Sequence, residues 1–589
     1  MDPPQVKAIG NSPFMVGVSG HRDLHPDDIT RLREAVTDFV HQLKAHLPNT
    51  ELRLIVGMAE GADLLVAQEA LDLGVPVEAV LPMPLDHYAA DFDAETLACL
   101  TELLRHPQVR CVELSADAAA GAPVGPHSRA QRDAMYANLT DTLIRRSSLL
   151  LALWDGQPSP LPGGTADTVL RYLGVRTQEN RDAQRIEFVE ATEEPEIDAH
   201  LVYWTPAARS GAVSAAGERP PCFLAGAGDN VLQVLRAMPS RLKLQLAELN
   251  SYNLEYQRLT GAGRLRTPES LLATVPARAA LPVRSMLEDI DVQYGKADSL
   301  AVYYQRRSDR LFDLFAVMAF AMGLAYLMYE KLTDSRVLLI AYLATLLTSL
   351  GVYYVLQGKR WFGKHLTYRA LAETLRARFY LRLAGADEQV DAGEVLALSG
   401  IERFRGFGWI GFVLKSIEAA DVRAGTAREA DCRETRSVEQ AWIESQHRYF
   451  TMKVARLEKS SRRVRRLRQC LFIAILGVIF LLFVFGDALH RVDMGLGVPV
   501  KNMLTFAMGL GAVLLGVWEL HQDKMATREL LWQYRNQLSH FSRARAQLLR
   551  INTPRRRNEL LVELGRDSLM ESYLWAIHRY HREHEPPSA

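Results

Sequence analysis

The chain predicts an α/β domain built on a parallel sheet, followed by an all-α membrane region with four transmembrane helices in two hairpins. Three observations carry this. Short apolar segments alternate with amphipathic stretches through residues 13–205, as strands and helices do in a parallel sheet covered on both faces. Val337–Leu356 has no charged side chain and, rising about 1.5 Å per residue, is long enough to cross an apolar layer of about 30 Å. Leu311–Tyr329 precedes it across a short polar turn, and the arrangement recurs in Cys470–Gly486 and Asn502–Trp518.

The elements follow from local pattern. Phe14–Val18 is a compact apolar run ending in Ser19-Gly20. Asp27 or Asp28 caps a helix whose apolar positions (Ile29, Leu32, Ala35, Val36, Phe39, Val40 and Leu43) keep a helical period. Leu52–Val56 is the second strand, Gly57–Gly61 a turn, and Ala62–Leu73 a helix stopped by Gly74. Val75–Leu81 and Leu149–Trp154 are further strands, with a helix over Arg129–Arg146 between them. From Ala207 to Gly228 the chain is rich in Ala, Gly, Pro and Ser and reads as a linker or loose surface loop, and Val231–Leu259 reads as helical. Asp387–Arg436 is acidic and broken by glycine; its apolar island, Phe407–Val413, lies either on the bilayer surface or against the α/β domain.

This divides the chain into a ligand-binding domain over 1–205, a linker and helical connector over 206–285, a first two-span module over 286–386, a linker over 387–436 and a second two-span module over 437–589. A length of 589 residues is too great for one core. The net charge of +0 points to no nucleic-acid partner. The cysteines, Cys99, Cys111, Cys222, Cys432 and Cys470, form no CxxC and no ligand spacing with histidine, which argues against a disulfide framework and a structural zinc. The first residues lack a basic segment followed by an apolar one, so no cleavable signal peptide is expected.

Basic residues crowd the outer flanks of each hairpin: Arg306, Arg307 and Arg310 before the first span, Lys359, Arg360 and Lys364 after the second, Arg462, Arg463, Arg465, Arg466 and Arg468 before the third, Lys524 and Arg528 after the fourth. The turns inside the hairpins are mixed in sign. The positive-inside rule then gives a multi-pass protein of the cytoplasmic (inner) membrane with both termini cytoplasmic. The competing reading is four helices buried in a soluble core. It is strongest for the third and fourth spans, whose apolar cores cover only about 25 Å. The two hairpins also look duplicated: Tyr368-Arg369 follows the first and Tyr534-Arg535 the second.

Three strand-end turns are the candidate ligand site. They are Gly17-Val18-Ser19-Gly20-His21-Arg22, then Gly57-Met58-Ala59-Glu60-Gly61-Ala62-Asp63, then Trp154-Asp155-Gly156 with Gly163-Gly164-Thr165-Ala166-Asp167 opening a helix. Ligands of open α/β sheets bind outside the carboxyl ends of the strands. Glycines there admit phosphate oxygens to backbone N–H groups, and a helix N-terminus adds favourable charge. From these turns, Gly17, Ser19, Gly20, His21, Arg22, Gly57, Glu60, Gly61, Asp63, Asp155, Gly156, Gly163, Gly164, Thr165 and Asp167 are the expected ligand-binding residues, with Arg22 as cation and Glu60, Asp63 and Asp155 as acceptors. No metal ligand, cofactor or catalytic residue is expected; a nucleotide or nucleotide-derived small molecule is the expected ligand. Neither a GxGxxG fingerprint nor a Walker A loop occurs.

The segments VGVSGHRDL (16–24), GMAEGADLLVAQEALDLGVPVEAVLPMP (57–84) and LLLALWDGQPSPLPGGTADTVL (149–170) resemble the SLOG superfamily, whose Rossmann-like domains include nucleotide phosphoribohydrolases, single-strand DNA binders and ligand-sensing regions of channels. The hairpins with their YR-containing exit helices, and the ending ESYLWAIHRYHREHEPP, resemble SLATT modules, two-span membrane effectors that accompany SLOG domains in bacterial conflict systems. The resemblance implies a membrane effector of an antiphage or conflict system, in which a nucleotide-derived signal gates a homo-oligomeric pore or membrane disruption. The hydrolases of the superfamily carry a glutamate in a GGxGTxxE pattern. Here Gly163-Gly164-Thr165-Ala166-Asp167 lacks the second glycine and the glutamate, and Arg129 or Arg132 would have to stand for their catalytic arginine. Binding without turnover is therefore the expectation. The alternatives are a membrane-tethered nucleotide N-glycosidase and a passive membrane-anchored scaffold. The basic stretch Arg462–Arg468 is the candidate coupling element.

Overall fold

The computed structural model describes residues 11–114, 129–159, 163–175, 186–195, 200–210, 219–268, 270–275, 284–386, 392–417, 438–492, 498–551 and 553–583. Residues 387–391 and 418–436 of the acidic linker, Cys432 among them, and residues 493–497 in the turn of the second hairpin lie outside the described residues. The chain forms two compact units, Met1–Leu265 with Glu269–Lys296 and Leu381–Cys432, and Arg266–Pro268 with Ala297–Tyr380 and Arg433–Ala589.

The first unit is built on a nine-stranded sheet. In chain order it comprises β1 (Phe14–Gly20), α1 (Ile29–His46), β2 (Leu52–Val56), α2 (Ala62–Asp72), β3 (Val77–Leu81), α3 (Leu85–Tyr88), α4 (Ala94–Arg105), β4 (Val109–Glu113), α5 (Arg129–Arg146), β5 (Leu149–Trp154), α6 (Thr165–Tyr172), β6 (Glu187–Glu190), β7 (Leu201–Pro206), β8 (Cys222–Gly228), β9 (Val231–Leu235) and α7 (Ser240–Gly261). The strand order is β4-β3-β2-β1-β5-β7-β8-β9-β6. Pairing is parallel from β4 to β7, antiparallel on both sides of β8, and parallel again between β9 and β6. Every residue of β5 is buried, as befits a central parallel strand covered on both faces and explains its unbroken apolar sequence. Buried Arg146 grips Glu78 of β3 through two 2.8 Å hydrogen bonds, anchoring the end of α5 beneath the sheet.

The α/β expectation holds, and the chain after residue 205 corrects two details. The stretch read as a loose linker contains β8, whose first residues Cys222–Ala225 are buried. The stretch read as one helix from Val231 begins as β9 and becomes helical only at Ser240. Local composition there favoured a loop and a helix, but pairing with β7 and β9 decides the conformation of β8, a tertiary effect that propensity does not carry.

The apolar island docks on the sheet. In the segment between the hairpins, the helices are α11 (Ala392–Ser399) and α12 (Ile410–Ile417), within the first unit. Phe412 meets Phe14 of β1 edge to face at 5.1 Å, Trp409 lies 4.7 Å from the Tyr252 ring, and Lys415 Nζ donates to the Ser147 carbonyl at 2.9 Å. Phe14 opens β1 and Ser147 precedes β5, so α12 sits at the amino-terminal edge of the central strands.

The other helices are α8 (Arg284–Lys331), α9 (Arg336–Gln357), α10 (Trp361–Leu383), α13 (Ser445–Arg491), α14 (Val500–Lys524), α15 (Thr527–Leu548) and α16 (Pro554–Glu583). Four helical stretches are long and apolar enough to cross a membrane, and almost none of their apolar windows is buried. Side chains such as Val337 (70% exposed) and Phe483 (87% exposed) face outward. The soluble-core reading is therefore set aside, because a core helix buries its apolar residues. In the second unit the hairpins pack on each other where glycine removes bulk: a Cβ on Gly323 would lie 2.5 Å from Val513, and one on Gly509 2.7 Å from Leu327. An ion pair recurs in the two halves. Arg369 of the first exit helix reaches Asp298 of its lead-in helix at 3.4 Å, and Arg535 of the second reaches Glu458 of its own at 2.6 Å.

Candidate functional site

The central strands set the geometry. The chain runs outward from β1 through β2 and β3 to β4, then returns to lay β5 on the other side of β1. The crevice between the carboxyl ends of β1 and β5 is thus the topological switch point, where such sheets bind ligands. His21 and Asp155 stand there. His21 Nε2 lies 3.0 Å from the Asp155 backbone nitrogen and 3.1 Å from its Oδ1. With its proton on Nδ1 the ring accepts from the amide; with a proton on Nε2 it donates to the carboxylate. Burial works against ionisation of Asp155, but the hydrogen bonds from His21 and the Gln157 amide bring its pKa below the ordinary carboxylate value.

The first and second turns touch. The Ala62 amide donates to the His21 carbonyl at 3.0 Å. Gly61, with φ +80°, brings its backbone so close that a Cβ would fall 2.2 Å from the Arg22 carbonyl oxygen. Preceding it, buried Met58 also takes a left-handed conformation, φ +57°, a strain of about 1–3 kcal/mol that packing elsewhere must hold. Asp63 lies in the first turn of α2, 7% exposed, its Oδ2 accepting from the Ala59 amide at 3.2 Å. Burial pushes its carboxyl up to about 7, although the Ala59 bond and the Arg22 guanidinium pull the other way. Asp63 therefore exchanges a proton near neutrality.

The third turn joins through Tyr136 of α5. A Cβ on Gly163 would lie 3.0 Å from the Tyr136 carbonyl carbon, and the Arg22 guanidinium sits 5.1 Å from the Tyr136 ring centroid. Tyr136 Oη donates to Asp91 at 2.5 Å, and Arg132 pairs with the same carboxylate at 2.5 Å. Tyr88 of α3, buried beside it, donates to the Gly57 carbonyl at 3.2 Å. Tyr88, Asp91 and Tyr136 were not among the expected site residues. The signal for Tyr88 and Asp91 was the exit of β3: ligand sites gather at every adjoining strand end, and this one leads through a proline-bracketed loop into an aromatic and an acid.

The remaining expected residues divide. Gly17 and Gly20 make close packing: a Cβ would lie 2.0 Å from Ser147 Oγ and 2.3 Å from Ala62 Cβ respectively. Ser19 is buried, and a Cβ on Gly57 would meet Asp63 Oδ2 and Leu139 at 3.0 Å. Gly156 faces the aromatic cluster of Trp204 and Phe188, 3.2 and 3.3 Å from its Cβ position. Glu60 is exposed. Gly164, at φ −81° and ψ 171°, is the cap residue of α6, with Thr165 as its first helical residue. Asp167 Oδ2 accepts the Gly163 amide at 2.9 Å and lies 3.6 Å from Arg171, so its carboxylate is engaged on its own loop. Among the described residues no group of three His, Cys, Asp or Glu side chains is arranged to hold a metal ion.

Chemically, the site offers the guanidinium of Arg22 against the Tyr136 ring, a carboxyl at Asp63 that changes state near neutral pH, and an ionised acceptor at Asp155. This suits a ligand with both an anionic group and hydroxyl or amine donors. Compared with known protein families and with curated proteins, the chain matches no family model and no curated sequence.

Proposed function

We propose that this protein is a ligand-gated membrane effector, in which the strand-end crevice binds a nucleotide or nucleotide-derived second messenger and the four spans respond by opening a pore or disrupting the bilayer. The observation that carries the reading is the meeting of three turns at the switch point, joined by the His21–Asp155 contact and by Tyr136. Arg22 receives the phosphate, and Asp63 and Asp155 receive ribose or base donors. The resemblance of these turns to SLOG domains, and of the hairpins to SLATT modules, supports a bacterial conflict system as the setting. The basic outer flanks support an inner-membrane protein with both termini in the cytoplasm.

Coupling needs a path from crevice to spans. The chain between the hairpins supplies one, because α12 is fastened to the opening of β1 and to Ser147, two residues before β5, the same strands whose carboxyl ends carry His21 and Asp155. Moving such a switch from 1:99 to 99:1 takes about 5.5 kcal/mol of differential affinity. A homo-oligomer reaches this with a smaller preference per site.

A second reading rests on Asp63. A carboxyl that titrates near neutrality is suited to general acid–base work, as in a membrane-tethered nucleotide N-glycosidase. Incubating the detergent-purified full chain with NAD, AMP and cyclic nucleotides separates the two. Saturable thermal stabilisation without release of free base supports the sensor; released base supports the hydrolase; the absence of both removes the nucleotide reading.

A further inference from the structure

We infer that the arginine girdle at the foot of the third span is a binding site for anionic phospholipid headgroups. The inference stands on the spans alone and holds whatever ligand the α/β unit takes. Helix α13 is one continuous helix from Ser445 to Arg491, so Arg462, Arg463, Arg465, Arg466 and Arg468 are carried on the same rigid rod as the apolar stretch that begins at Cys470. At about 100° per residue these five positions spread over about 220° of the circumference. All five are exposed. The one side they leave is that of half-buried Val464, which packs within the helical bundle, so the arginines themselves face away from protein.

The charges are only partly answered within the chain. Arg462 pairs with Glu458 at 3.6 Å and Arg468 with Glu519 at 3.2 Å. Among the described residues no carboxylate pairs with Arg463, Arg465 or Arg466. Their height along the rod identifies what does. Arg466 precedes Cys470 by four residues, about 6 Å at the helical rise, which is the depth of a headgroup layer beyond a hydrocarbon core of about 30 Å. Arg463 and Arg465 lie within about another turn. Leu467, 67% exposed among them, continues the outward-facing apolar surface of Phe472 and Ile473. An apolar rod entering lipid with unpaired guanidiniums at phosphate depth matches an anionic leaflet in charge, and guanidinium pairs with phosphate through two hydrogen bonds.

The test uses the detergent-purified full chain and native mass spectrometry, titrating dioleoylphosphatidylglycerol against dioleoylphosphatidylcholine. Wild type is expected to hold phosphatidylglycerol more tightly. The triple variant Arg463→Gln, Arg465→Gln, Arg466→Gln is expected to lose about fivefold of that preference per arginine, the equivalent of about 1 kcal/mol each. The triple variant to lysine, which keeps charge and insertion, is expected to retain most of it and covers the case in which the glutamine chain fails to insert. Equal affinity for the two lipids in wild type, loss of the preference in the lysine variant as complete as in the glutamine one, or a glutamine variant that keeps it, overturns the proposal. A single-stranded RNA oligomer is titrated in parallel: if RNA, and not phosphatidylglycerol, is the polyanion whose binding the glutamine variant loses, the girdle is a nucleic-acid site and the proposal fails.

Discussion

His21 Nε2 lies between the backbone nitrogen of Asp155 at 3.0 Å and its Oδ1 at 3.1 Å, tying the end of β1 to the end of β5 across the switch point of the sheet. Replacing His21 by Ala removes one partner from a largely buried hydrogen-bonded pair. We expect a loss of about 1–3 kcal/mol in local stability together with loss of nucleotide-induced stabilisation. The check is hydrogen exchange of the β5–α6 loop amides in the full chain, with and without nucleotide. Unchanged protection in His21→Ala contradicts a joining role.

Asp63 sets a pH dependence whose sign is fixed. Its folded-state carboxyl is raised from the ordinary 3.8 to about 7, so between those values the native state holds a proton that the unfolded state has released. Stability is then fully present below about pH 4, falls as pH rises toward 7, and is flat above. The span of the effect is up to about 4 kcal/mol. Asp63→Asn cannot ionise and escapes it, so its α2 amides should exchange more slowly than those of wild type at pH 8 and no more slowly at pH 4. Equal exchange ratios at both pH values refute the buried neutral acid.

The α12 clamp is predicted to transmit the signal without touching the ligand. Leu414 is buried in the first unit, and truncation to Ala costs about 2–5 kcal/mol at such a position. Leu414→Ala should keep nucleotide-induced thermal stabilisation while ligand-induced dye release from liposomes drops severalfold. Release at the wild-type level would leave α12 a structural brace.

The topology is read by labelling. Cysteine at Ser335, which caps α9 in the first hairpin turn, or at Gly495, in the second hairpin turn and outside the described residues, should react with an impermeant maleimide in spheroplasts. Cysteine at exposed Ser460 on α13 should not. The opposite pattern inverts the orientation.

Periodicity made part of this fold legible and tertiary pairing hid the rest. Leu52–Val56, Leu149–Trp154 and Arg129–Arg146 have the bounds their patterns predict, because each is apolar or amphipathic on its own terms. The strand Cys222–Gly228 carries two alanines and two glycines that read as loop, and it is a strand only because β7 and β9 flank it. In the site, turns that contain glycine announced themselves, yet several of those glycines serve packing, as Gly20 does against Ala62. Tyr136 was silent in sequence, since an aromatic inside a helix usually marks core. Its meeting with Arg22, Asp91 and the Gly163 turn joins segments far apart in the chain, which only the folded sheet brings together.

The central claim is that occupation of the strand-end crevice drives the spans, and dye release from liposomes carrying the reconstituted full chain tests it most directly. Gly164→Val puts a branched side chain at the cap of α6, where φ −81° admits it without backbone strain, so the folded chain is kept while the approach to the turn is filled. Against a panel of nucleotides and cyclic nucleotides, the account predicts saturable release by at least one compound in wild type and none by that compound in Gly164→Val. Absence of release with every nucleotide, or equal release by the variant, contradicts it.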